Sequence, residues 1–131
     1  MRIMIDTNVI ISAVYNPKSK PARVLQHVCE NHVLVLCDYI VAECYDVVKR
    51  KFPQHILVLD KLLASLGYDL VTAPREGAMM SDPKDAPILN AAILAGVDII
   101  ISGDWHFLSL DLESPKVLTP AQYLENEIPG M

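Results

Sequence analysis

Four carboxylates occupy positions from which they could do chemistry together. They are Asp6 in "MIDTNVIISA", Glu43 in "VAECYDVV", Asp85 in "DPKDAPILNAAILAG" and Asp104 in "IIISGDWHFL". Taken singly, each has an ordinary structural role. An aspartate at a strand end is usually a turn or cap residue, Asp85 is a fair N-cap, and Glu43 could pair with Lys49 or Arg50. Taken together they imply something else. At an effective dielectric near 20, two unit charges ~4 Å apart repel by about 4 kcal/mol. An empty cluster of four would therefore resist forming or stay protonated, and a divalent cation removes that objection. With oxygen ligands alone, magnesium or manganese suits the group better than zinc.

Whether the four meet depends on the elements that carry them. "RIMI" before Asp6 is short and strand-like, and "VLVLC" (33–37), "DLVTA" (69–73), "VDIII" (97–101) and "KVLT" (116–119) are β-rich runs of similar length. Helical spacing fills the intervals. "PARVLQHVCENH" carries Pro21 at its start, and "DYIVAECYDVVKRK" begins on Asp38 as N-cap. "QHILVLDKLLASLG" is expected to stop at Gly67 and "KDAPILNAAILAG" at Gly96, while "TPAQYLENE" has Thr119 as cap. Strands that alternate with helices predict right-handed crossovers and an α/β fold with a parallel sheet covered on both faces. The strands should accordingly be apolar throughout. Ligands of such sheets bind beyond the carboxyl ends of the strands, where Asp6 and Asp104 emerge and where Asp85 starts the helix leading to the Asp104 strand. Glu43 lies about 40° outside the apolar stripe of its helix, and isolated burial there would be costly.

The totals narrow the class. At 131 residues the chain, 1–131, is expected to form one domain. No apolar run approaches the ~18 residues of a membrane span, and Asp6 interrupts the first apolar stretch too early for a signal peptide, so a soluble, cytoplasmic protein is expected. Cys29, Cys37 and Cys44 form no C-x-x-C pair and read as buried hydrophobes; His27, His32, His55 and His106 form no sequence cluster. The net charge of −5 argues against a broad basic nucleic-acid surface, but not against an enzyme that meets nucleic acid through bound cations.

"MIDTNVIISA", Glu43 on the second long helix, "DPKDAPILNAAILAG" and "IIISGDWHFL" together resemble the PIN-domain family of metal-dependent ribonucleases, in particular its small prokaryotic toxin–antitoxin members. The likeness spans nearly the whole chain. It implies a three-layer α/β/α sandwich with a central, mostly parallel sheet of about five strands, and single-stranded RNA as substrate. By motif position Asp6, Glu43, Asp85 and Asp104 match the family's acidic quartet, the catalytic residues and ligands of one or two Mg²⁺ or Mn²⁺ ions. Thr7, Asn8 and Ser102 match the supporting polar residues. Asp82 is the nearest rival to Asp85, which is preferred for its distance to Ile88, Ala92 and Gly96. Relatives often carry an aspartate where this chain has His106. The same resemblance implies a small antitoxin protein as partner and a homodimer, for which apolar residues 55–66 could supply an interface.

Lys18, Lys20, Arg23 and Lys84 could touch phosphates flanking the scissile bond, although ordinary surface charge is an equal reading. Trp105 and Phe107, beside Asp104, could stack on a base, but aromatics so placed more often pack a short helix onto the core. Two alternatives compete with the nuclease reading. One is a catalytically weak fold retained to bind RNA or protein. The other is a phosphotransfer domain, disfavoured because Asn8 replaces the second aspartate of the dehalogenase-type pattern and because the third strand ends in "VTAP".

Overall fold

A computed structural model describes residues 1–74, 86–110, 112 and 114–127 of the chain. Strand β1 (Arg2–Ile5) runs directly into α1 (Thr7–Tyr15), and α2 (Lys20–Asn31) leads to β2 (Val33–Cys37). Helix α3 (Asp38–Lys51), a 3-10 turn (Pro53–His55) and α4 (Ile56–Ser65) then lead to β3 (Tyr68–Val71). Helix α5 (Ala86–Leu94) precedes β4 (Ile99–Ile101), and α6 (Trp105–Leu108), β5 (Lys116–Leu118) and α7 (Pro120–Glu127) follow. The sheet order is β3-β2-β1-β4-β5, and all four pairings are parallel. This is the expected three-layer α/β/α arrangement.

The central strands are apolar because they are covered on both faces. Ile3, Met4, Ile5, Leu34, Val35 and Ile100 are fully buried, and no alternation is needed where neither face meets water. The edge strand β3 departs from that expectation: Asp69 and Leu70 are exposed. An edge strand has a neighbour on one side only, and here Asp69 instead receives the Arg2 guanidinium at 2.9 Å. That ion pair bridges across β2 to β1 at the end of the sheet remote from Asp6.

Local chemistry explains most helix boundaries. Ser19 caps α2 by accepting from the Ala22 amide, with proline in the first turn. Gly96 closes α5 with φ of 67°. The Val97 and Gly96 amides return to the Ala92 and Ile93 carbonyls, a Schellman closure that needs the left-handed residue at Gly96. Gly67 was expected to do the same for α4 and does not. That helix ends at Ser65 with Leu66 in extended conformation, and Gly96 is the one described glycine with positive φ. Asp38 is the first residue of α3 instead of its cap. Its Oδ1 accepts from the Tyr39 amide and from the Ala73 amide at 2.8 Å, so it ties α3 to the chain leaving β3.

Helix α7 opens on a reciprocal capping box. Thr119 Oγ1 accepts from the Gln122 amide at 3.0 Å, and Gln122 Oε1 accepts from the Thr119 amide at 2.9 Å. Thr119→Ala is expected to cost about 1 kcal/mol, measured by denaturant unfolding. The same helix buries Tyr123 completely, and Tyr123 Oη lies 2.6 Å from His27 Nδ1 on α2.

Candidate active site

The strand order reverses between β1 and β4. From β1 the chain crosses to β2 and β3 on one side, while β5 lies on the far side of β4. In open parallel sheets the crevice outside the carboxyl ends at such a reversal is the usual ligand position. Ile5 pairs with Ile101 at the end of the two strands, and the Asp6 amide donates to the Ile101 carbonyl at 3.0 Å. Asp6 and Ser102 are thus the first residues beyond the paired strands.

A chain of hydrogen bonds orders this edge. Asp6 is 4% exposed and caps α1. Its Oδ1 accepts from the Thr7 amide at 2.8 Å, and its Oδ2 accepts from the Ser102 hydroxyl at 2.9 Å. Ser102 Oγ in turn accepts from the Asp104 amide at 3.0 Å, and Asp104 Oδ1 accepts from the His106 amide at 2.9 Å. Two aspartates from different strands are therefore linked through one buried serine.

The electrostatics show what else stands near. Burial pushes the Asp6 carboxyl from 3.8 up to about 6; the Ser102 hydroxyl and Thr7 amide oppose the rise, and the Glu43 and Asp104 carboxylates add to it. Glu43 lies on α3, whose buried residues Ile40, Cys44 and Val48 face the core while Glu43 is half-buried. The Cys44 thiol beside it is pushed up to about 12 by burial first, then by Glu43 and Asp6. It stays protonated and inert in ordinary conditions.

Two of the four predicted acids, Asp6 and Asp104, are joined at one edge through Ser102, and the Glu43 carboxylate adds to the rise at Asp6 from α3. Asp85, its rival Asp82 and Lys84 lie outside the described residues. Ser102 and Thr7 are buried beside Asp6, but Asn8 is exposed. Lys18, Lys20 and Arg23 are exposed, and the last two line a small hollow with Ala121, Leu124 and Glu125 of α7, not the group around Asp6. Asn90 escaped sequence reasoning. It is a buried amide in the otherwise apolar helix α5, and a lone polar residue inside "APILNAAIL" was the available signal.

The donor set fits a hard divalent cation. A nearly buried carboxylate with two further carboxylates raising its proton affinity is held against its electrostatic preference, which a bound cation would reverse. The Thr7 hydroxyl is buried without a hydrogen-bond partner among the described residues, a further oxygen beside Asp6. Among the described residues no three acidic, histidine or cysteine side chains form a ready ligand set. Along α3 an open cleft of about 250 Å³ is lined by Tyr39, Ala42, Glu43 and Asp46, and a neighbouring one of about 480 Å³ by Asp38, Tyr39, Ala42, Ala73, Pro74 and Pro87.

Residues 2–106 match a PIN domain family model. The chain belongs to the PIN-domain family. Its fold agrees with solved structures. A chain of the VapBC2 complex of Rickettsia felis, bound to a DNA fragment from its promoter, superposes with a TM-score of 0.69 at 15% identity, over 91% of this chain and 98% of that one. A chain of the DNA-bound VapBC complex of Salmonella typhimurium gives 0.67 at 10% identity, over 92% and 98%. VapC20 of Mycobacterium tuberculosis, a toxin that cleaves the sarcin–ricin loop, gives 0.54 at 10% identity, over 75% and 86%. At these identities the likeness is one of fold. No curated protein matches the chain by sequence. As a PIN domain, it carries the Asp6–Ser102–Asp104 linkage across the β1/β4 reversal of its sheet.

Proposed function

We propose that this PIN domain is a magnesium- or manganese-dependent endoribonuclease that hydrolyses phosphodiester bonds of single-stranded RNA, and that it is the toxin of a toxin–antitoxin pair. The observation that carries the reading is the buried carboxylate of Asp6, bonded to Ser102 and pressed by Glu43 and Asp104. The family assignment supports it, and the fold shared with VapC and VapBC proteins, one of them named as a sarcin–ricin loop cleaving toxin, supports the toxin assignment.

Asp6, Glu43 and Asp104, together with Asp85, would hold one or two ions. When bound, such an ion activates water and offsets charge on the departing oxygen. The chain's own residues do the positioning. Thr7 and Ser102 fix both oxygens of Asp6, and Ser102 also sets the backbone from which Asp104 projects. The His106 amide orients one Asp104 oxygen, a contact that does not depend on that side chain being aspartate. Ser102→Ala removes the hydroxyl that joins the two acids. It is expected to weaken metal affinity about tenfold, checked by titrating manganese against cleavage and by calorimetry.

The fuller biological reading has the 1–131 chain acting as a single domain in the cytoplasm. A small antitoxin would cover the acidic edge, and a second copy would form a homodimer. Among the described residues no helix is long and apolar enough to cross a membrane. Lys18, Lys20, Arg23 and Lys84 are the proposed phosphate contacts, with Lys20 and Arg23 meeting the strand away from the Asp6 group. The deciding experiment incubates purified protein with several RNAs, with and without manganese and chelator, beside Asp6→Asn protein. Metal-dependent cleavage lost in the variant supports the proposal. Cleavage that survives both chelator and substitution, or no cleavage at all, overturns it.

A further inference from the structure

The two aromatics beside Asp104 part company in the fold. Phe107 is completely buried and anchors α6, whose first turn is fixed by amides of Phe107 and Leu108 donating to the Asp104 carbonyl. Trp105, on the same short helix, is 63% exposed. Its ring lies against the His106 imidazole with centroids 4.3 Å apart and planes 29° apart. An indole held this way loses part of its rotamer freedom in advance while most of its surface still faces water. It is also the chain's single tryptophan.

We propose that Trp105 is a stacking platform for an unpaired nucleobase of the strand bound at the acidic edge, with His106 as its backing. The inference deepens the nuclease reading and rests on it for the identity of the strand. Charge gives the reason. Asp6, Glu43 and Asp104 repel phosphates, and the chain carries a net charge of −5. An uncharged aromatic face attracts the strand through its bases without adding to or fighting that field. Stacking tolerates every base because each has a π-face. It also discriminates by structure: bases inside a duplex already stack on their neighbours, whereas an unpaired base is free to settle on the indole. Trp105 directly follows Asp104 in the chain, their α-carbons ~3.8 Å apart.

The tryptophan reports on itself. Fluorescence is measured as a short unstructured oligoribonucleotide is added, first to wild-type protein in chelator and then to Asp6→Asn protein in manganese. An oligomer of the same length with abasic sites, which keeps sugars and phosphates but lacks bases, serves as control. Quenching by the base-containing strand and not by the abasic one is expected. Neither Trp105→Ala nor Trp105→Phe retains a tryptophan, so their binding is read beside wild type by the anisotropy of a dye-labelled oligomer: Trp105→Ala should weaken it by about tenfold or more and Trp105→Phe by less, with circular dichroism showing the fold unchanged. Equal responses to both strands, no response to either, or unaltered binding by Trp105→Ala would overturn the platform. Cleavage by wild-type protein in manganese is scored separately. Cleavage without base-dependent quenching rejects the platform and leaves the nuclease reading standing, whereas base-dependent quenching without cleavage does the reverse.

Discussion

Asp6→Asn protein is expected to lose RNA cleavage by at least about a hundredfold while keeping its fold. Removing an outer partner of a metal ligand typically costs 10- to 100-fold, and Asp6 is proposed as a ligand itself. The substitution keeps the side chain's size and one oxygen that can accept from the Thr7 amide. The new amide can donate to Ser102 Oγ, and the serine hydroxyl hydrogen can rotate away. What disappears is the charge. Single-turnover cleavage of an unstructured RNA in manganese, alongside circular dichroism, tests this. Activity within a few fold of wild type would remove Asp6 from the catalytic set, and unfolded protein would assign it a structural role instead.

Stability should respond to pH in the direction set by that same carboxylate. Burial, then Glu43 and Asp104, hold Asp6 at about 6 against 3.8 when solvated, even after the opposing bonds from Ser102 and Thr7. The folded value lies above the unfolded one. The stability linked to the protonated form is therefore complete below pH ~4 and is lost as pH rises through about 6. A rise of about two units corresponds to a loss on the order of 3 kcal/mol by neutral pH. Thermal melts in chelator should show wild-type protein weakening from pH 5 to 7.5 relative to Asp6→Asn, which cannot ionise there. Adding manganese at pH 7.5 should raise the melting temperature of wild type, since a ligand at 100 times its Kd stabilises by ~2.7 kcal/mol. The variant should gain much less. Parallel pH profiles for the two proteins would show that Asp6 is not held out of its charged form.

Much of this protein is legible in its sequence. The uninterrupted apolar runs at 33–37 and within 97–101 announced buried parallel strands, because a strand covered on both faces has no water-facing side to call for polar residues; Val33, at the start of β2, is the exposed exception. Gly96 marked a helix end because the left-handed closure there excludes most other residues. Gly67 carried the same signal and proved uninformative, since a glycine states what conformation is allowed and not which one is used. Asp69 and Leu70 misled for a related reason. Position in the sheet decides whether a strand needs cover, and position is a property of the whole chain.

The placement of Asp6 and Asp104 just beyond two strand ends was likewise written in the sequence. Their mutual arrangement was not. That Ser102 would bridge Asp6 and Asp104 follows from β1 lying next to β4 in register, a pairing between segments nearly a hundred residues apart. That Phe107 turns inward and Trp105 outward follows from which face of α6 meets the core. Local propensity and hydrophobic period act over a few residues and can be read from them. Charge, burial and hydrogen bonding at the Asp6 edge depend on neighbours that only the folded chain brings together.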